Sequence, residues 1–153
     1  MKQWSSEIEI NSSIDHVWSY LDGSLEQMQK IMPQVVENKP VIITKEVVGS
    51  VYRQKYKEGK RIEEYDVHTL EYSNHLNDKR VKIGFTLANS FEITALYELH
   101  RVNDQKTKLR YTATNKALKW YVKLFMIFAN EKVVIKFLEK VKEVAEAEAK
   151  PGF

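Results

Sequence analysis

The stretch from Leu118 to Ala149 most constrains this chain. Apolar residues recur there at Trp120, Leu124, Ile127, Val134, Leu138, Val141 and Ala145, mostly three or four apart. That spacing gathers side chains on one face of a helix. No glycine or proline interrupts the run, and Pro151-Gly152 ends it. The reading is one helix, which at ~1.5 Å per residue would reach roughly 45 Å, enough to cross a sheet. The apolar stripe is broken at Asn130-Glu131. The break marks either a bend in the helix or a polar group turned into a cavity.

A helix of that kind needs an apolar partner, and the rest of the chain offers strands. Trp4, Ser6, Ile8 and Ile10 alternate with Ser5, Glu7, Glu9 and Asn11, the period of a half-buried strand. Ser12-Ser13 supplies a helix cap ahead of Ile14, Val17, Trp18 and Leu21, with Asp15 in the first turn. Ser24 caps a second short helix, Leu25 to Ile31, ended by Pro33. Six strand segments follow: Val41 to Val47, Val51 to Lys57, Arg61 to Leu70, Val81 to Leu87, Phe91 to Leu99 and Leu109 to Ala113. The polar run Tyr72 to Asp78 reads as a loop. A two-residue turn at Glu58-Gly59 would set Tyr56 against Arg61, Gln54 against Glu63, Tyr52 against Tyr65, and Arg53 against Glu64.

Short turns between consecutive strands make an antiparallel meander, and one apolar face per strand calls for one cover. The expected fold class is α+β: a curved antiparallel sheet in the order β-α-α-β6-α, wrapped around the long C-terminal helix. Residues 1–149 form one domain and residues 150–153 a tail. The sequence has no cysteine, which excludes disulfides and thiolate chemistry and fits a cytoplasmic protein. The polar opening Met1-Lys2-Gln3-Trp4 is not that of a secretory signal. No apolar run approaches the ~20 residues of a membrane span. The net charge of +3 is spread as lysines interleaved with glutamates, which argues against a nucleic-acid partner.

The opening Ile8-Glu9-Ile10-Asn11-Ser12-Ser13, then Val17-Trp18 and Leu21-Asp22, resembles the start of START-like, helix-grip proteins. That superfamily includes the birch-pollen-allergen-like proteins and the polyketide cyclase/dehydrase-like (SRPBCC) branch. Gly49-Ser50-Val51-Tyr52 resembles the glycine-containing entry to a central strand of these proteins. Met32 before Pro33 departs from their usual aromatic residue. The resemblance spans nearly the whole chain. It implies a helix-grip fold with a cavity between sheet and helix, used by many members for apolar or amphipathic small molecules. Members include carriers, sensors, aromatase/cyclases and partners of other proteins, so fold alone leaves activity open.

By alternation, the inward sheet faces carry Tyr52, Gln54, Tyr56, Tyr65, Phe85, Phe91, Tyr97 and Tyr111, and the helix adds Trp120, Leu124 and Phe128. An aromatic wall with a few hydroxyls and amides suits an apolar pocket with orienting polar groups. The plainer reading is a filled core. Arg61 and Glu63 share that face at the hairpin end, as a solvated pair or as a receiver for an acidic head group. The leading function is binding of a small apolar or amphipathic ligand without evident catalytic motif and without a cofactor. One alternative is a cyclase/dehydratase-type enzyme with a cavity carboxylate or tyrosine, Glu131 being the candidate. Another is a protein-interaction module with a filled core, including a membrane-surface form through Trp120, Phe125 and Phe128. His16, His68, His75 and His100 are not spaced as metal ligands.

Overall fold

The computed structural model describes residues 1–87, 89–118 and 130–148. The chain runs β1 (Lys2–Ile10), α1 (Ile14–Leu21), α2 (Leu25–Ile31), β2 (Val35–Ile42), β3 (Val51–Glu58), β4 (Arg61–Asn74), β5 (Asp78–Leu87), β6 (Phe91–Asn103), β7 (Lys106–Ala117) and α3 (Glu131–Glu148). The strands form one antiparallel sheet in the order β1-β7-β6-β5-β4-β3-β2. Strands β2 to β7 are a meander, and β1 adds to the free side of β7. The two short helices carry the chain from one sheet edge to the other. Ser13 and Ser24 cap them as the sequence suggests, their hydroxyls accepting from the amides of His16 and Gln27.

The core sits at one end of the concave face. Ile10, Val17, Tyr20, Leu109, Val141 and Ala145 are fully buried. The α3 stripe Val134, Leu138, Val141 and Ala145 supplies the helix side. It packs on β1 and β7, so the helix covers the β1-β7 half of the sheet.

Four expectations are corrected. The first strand of the meander ends at Ile42, not Val47, although residues 41–48 are rich in Val and Ile. Thr44 and Ser50 close a loop there: Thr44 N–H donates to Ser50 Oγ at 3.0 Å, and Thr44 Oγ1 donates to the Val48 carbonyl at 2.7 Å. Local side-chain bonds to backbone offer the chain an alternative to the ladder. The Tyr72–Asp78 run is mostly strand, with only residues 75–77 between β4 and β5. Ser73 and Asp78 stand on the wet outer face, where Arg80 bridges Glu71 and Glu98.

The β3–β4 hairpin turns at Gly59-Lys60, with Glu58 opposite Arg61. Gly59 has φ +62° at the first central position, where a II′ turn needs glycine. The pairing therefore moves by two residues, which leaves every side chain on its expected face. Tyr56 meets Glu63, Gln54 meets Tyr65, and Arg53 meets Asp66 in place of Glu64. Arg53 Nε donates to Asp66 Oδ1 at 2.9 Å.

The fourth correction concerns the long helix. Leu118 donates its N–H to the Ser90 carbonyl at 2.8 Å, and α3 begins only at Glu131. Asn130 Oδ1 accepts the Val133 N–H at 2.9 Å, which makes Asn130 a helix cap. Asn130-Glu131, where the apolar stripe breaks, is thus the capped start of α3. The expected helical residues 119–129 and 149 lie outside the described residues.

The far end of α3 is tied down by a hydrogen-bonded chain. Ser12 Oγ lies 2.6 Å from His16 Nδ1, and His16 Nε2 lies 2.8 Å from Tyr20 OH. Tyr20 OH donates to the Glu148 carboxylate, and Lys30 pairs with Glu148 at 2.9 Å. Donation runs one way through the chain if His16 carries its proton on Nε2. The Tyr20 phenol, and after it Lys30, hold the Glu148 carboxyl below its ordinary value of 4.5. A depressed carboxylate contributes stability above its unfolded pKa and loses it as pH falls through the folded value. Tyr20→Phe is therefore expected to cost about 1 kcal/mol near neutrality. The gap between variant and parent in thermal melts should shrink on acidification below about pH 4. A pH-independent gap would mean that Glu148 is not the group being held.

Candidate ligand cavity

Because α3 packs over β1 and β7, the concave surface of β3, β4, β5 and β6 keeps a cavity of about 300 Å³. That is at the lower end of volumes that hold small molecules. Tyr52, Gln54 and Tyr56 reach it from β3, Tyr65, Val67 and Thr69 from β4, and Val81, Ile83 and Phe85 from β5. Ile93, Ala95 and Tyr97 of β6 and Tyr111 of β7 line it further. Leu21, Asp22, Gly23, Met28 and Met32 close one side, Val35 and Asn38 the β2 side, and Phe137 the α3 side. A second depression of similar size, about 280 Å³, lies on the outer face. Arg80 pairs there with Glu98, and His100 Nδ1 lies 2.7 Å from Asp78 Oδ1. The concave cavity is the candidate site.

Two aromatic pairs shape it. Tyr65 and Phe85 stack with centroids 4.7 Å apart. Tyr97 and Tyr111 stack at 5.0 Å, and Phe137 tilts against both. The polar atoms are few. Gln54 Nε2 approaches Met28 Sδ at 3.9 Å, and Asn38 Oδ1 is buried without a partner. Tyr72 OH donates to Asp22 Oδ2 at 2.7 Å.

Burial sets the protonation of this wall. It pushes Tyr65 and Tyr111 up to about 12 and raises Tyr97 and Tyr56 as well. Near neutrality these phenols are hydrogen-bond donors, and none is poised as a base. Burial also raises the Asp22 carboxyl, against the lowering effect of hydrogen bonds from Tyr72 and Trp18. Asp22 is thus shifted toward neutrality while the tyrosines are shifted away from it.

Of the residues expected at the site, Tyr52, Gln54, Tyr56, Tyr65, Phe85, Tyr97 and Tyr111 come together. Phe91 is buried but stands away from the lining. Arg61 is 74% exposed and bonds to Glu63 at 2.5 Å on the hairpin. Neither residue lines the cavity, because the hairpin tip projects beyond it. Glu131 is exposed in the first turn of α3, which removes it as a cavity carboxylate. Trp120, Leu124 and Phe128 lie outside the described residues. Sequence reasoning missed Asp22, Asn38, Thr69 and Phe137. Phe137 had a signal, three residues beyond Val134 and next to Leu138. Asp22 read only as the end of a helix, and its place at the cavity is tertiary. Among the described residues no group of His, Asp or Glu is arranged to hold a metal.

The burial of the tyrosines is open to measurement. In a spectrophotometric titration, Tyr65 and Tyr111 should ionise near pH 12, and Tyr65→Phe should remove one such component. Ionisation of either near the ordinary value of 10 would mean that the cavity wall is open to water.

No family model and no curated protein matches the chain. Solved structures do. The di-domain ARO/CYC protein BexL superposes with a TM-score of 0.72 at 13% identity, over 99% of this chain and 48% of that one. A START superfamily protein from Mycobacterium smegmatis gives 0.67 at 10% identity, over 97% of both chains. Norcoclaurine synthase from Thalictrum flavum, in complex with dopamine and hydroxybenzaldehyde, gives 0.65 at 16% identity, over 99% of this chain and 89% of that one. These likenesses show the fold, which is the helix-grip fold of START-like proteins.

Proposed function

We propose that this chain binds a small apolar or amphipathic molecule in the cavity between the sheet and α3. The observation that carries the reading is the concave cavity of about 300 Å³ with its aromatic wall. A filled sheet face would have buried these rings against helix side chains. Here Tyr52, Tyr56, Tyr65 and Phe85 face open volume instead. Apolar surface held away from its own core is available to a ligand, at ~25 cal/mol per Å² covered. The fold neighbour in complex with dopamine and hydroxybenzaldehyde supports a small-molecule ligand for a chain of this fold. The cavity favours ligand binding over the interaction-module alternative, which expects a filled concave face. Among the described residues no helix is long and apolar enough to cross a membrane.

The cyclase/dehydratase reading stands second, on a different carboxylate from the one the sequence suggested. Asp22 lines the cavity, has its carboxyl raised by burial, and is held by the Tyr72 hydroxyl. A raised carboxyl beside a phenol is a workable proton carrier. No substrate or reaction follows from it.

Ala95 is buried on β6 and faces the cavity, so Ala95→Phe would place a ring inside it. Titration with the neutral fluorophore N-phenyl-1-naphthylamine should give saturable one-to-one binding to the parent chain. The variant should keep its circular dichroism and bind at least roughly tenfold more weakly. Equal binding by a folded variant would place the fluorophore elsewhere and count against the cavity as the site.

A further inference from the structure

We infer that the cavity selects by charge: it takes an amphipathic molecule carrying a protonated amine, which it seats on the Asp22 carboxylate, and it disfavours carboxylates. This rests on the ligand-binding reading above. Among the described residues the lining contains one carboxylate, Asp22, and no lysine, arginine or histidine. An anion entering this space would lose its hydration and meet no cation among the described residues, a cost that buried charges avoid only by pairing.

The neutral polar atoms favour the same choice. Asn38 Oδ1 is a buried acceptor without a partner, and an N–H donor on the ligand would satisfy it. Asp22 keeps capacity for a ligand: Tyr72 engages Oδ2 at 2.7 Å and Trp18 also bonds to the carboxylate, which offers about four acceptor sites. Burial raises the Asp22 carboxyl, so its charge is under-solvated and gains from a cation brought beside it. The positive charge once considered for an acidic head group, Arg61, is committed to Glu63 at 2.5 Å outside the lining.

Three probes of one shape separate charge from apolar contact: 2-(2-naphthyl)ethylamine, 2-(2-naphthyl)ethanol and 2-naphthylacetic acid. Their affinities for the whole chain are measured by calorimetry near pH 8, where the amine is protonated and carboxylates are ionised. The amine should bind roughly tenfold or more tightly than the alcohol, and the acid should bind weakest. Asp22→Asn, which keeps an acceptor for Tyr72, should abolish the advantage of the amine over the alcohol. Tyr72→Phe should keep the amine preference. Alcohol binding without an amine preference, or a preference that survives in folded Asp22→Asn, overturns the charge selection and leaves the cavity as a binding site. Tightest binding of the acid likewise overturns the selection. Binding of none of the three overturns both.

Discussion

The structure depends on where α3 seats its apolar stripe. Val134, Leu138, Val141 and Ala145 are all but fully buried, and the helix that carries them lies over β1 and β7. Each buried Val or Leu among them contributes ~1.5–3 kcal/mol of burial, so the seating is not easily shifted. The other end of the helix is fixed through Glu148, which the Tyr20 phenol and Lys30 hold from α1 and α2. A helix held at this side of the sheet leaves the concave surface of β3, β4 and β5 uncovered by its stripe. The cavity follows from that offset.

The cavity's chemistry follows from sheet pleat. Alternation sends Tyr52, Gln54 and Tyr56 inward from β3 and Arg53 outward to its pair with Asp66. The same rule on β5 turns Val81, Ile83 and Phe85 inward and Arg80 outward to Glu71 and Glu98. Apart from Lys79, which is buried and pairs with Asp15 of α1, charge is thus sorted to the wet face, and the cavity face keeps aromatic rings, hydroxyls and amides. Asp22 is the exception, because it comes from the end of α1 rather than from a strand. It brings an ionisable carboxyl to a wall that pleating otherwise leaves uncharged.

Much of this was legible in the sequence, because period-two alternation fixes a face whatever the exact register. The hairpin shows it: the turn moved to Gly59-Lys60, the partners moved by two, and Tyr52, Gln54, Tyr56 and Tyr65 stayed inward. The helix caps at Ser13 and Ser24 were readable for a similar reason, being local. What the sequence hid is non-local or competitive. Asn130 reads as a bend in the helix or a polar group turned into a cavity, and only the Val133 amide it accepts shows it as a cap. Residues 41–48 read as strand on composition, yet Thr44 and Ser50 side chains draw the backbone into a loop. Asp22 and Asn38 join the site only once α1 and β2 are brought to the same cavity, and no local pattern announces that.

The central claim is that the concave cavity is a place for a small molecule. The most direct measurement is native mass spectrometry of the chain after incubation with a small-molecule extract of its source cells, with a denatured sample run beside it. The account predicts a reproducible adduct that denaturation releases and that Ala95→Phe fails to retain. A parent chain that keeps its bare mass throughout, or an adduct held equally by the folded variant, would contradict it.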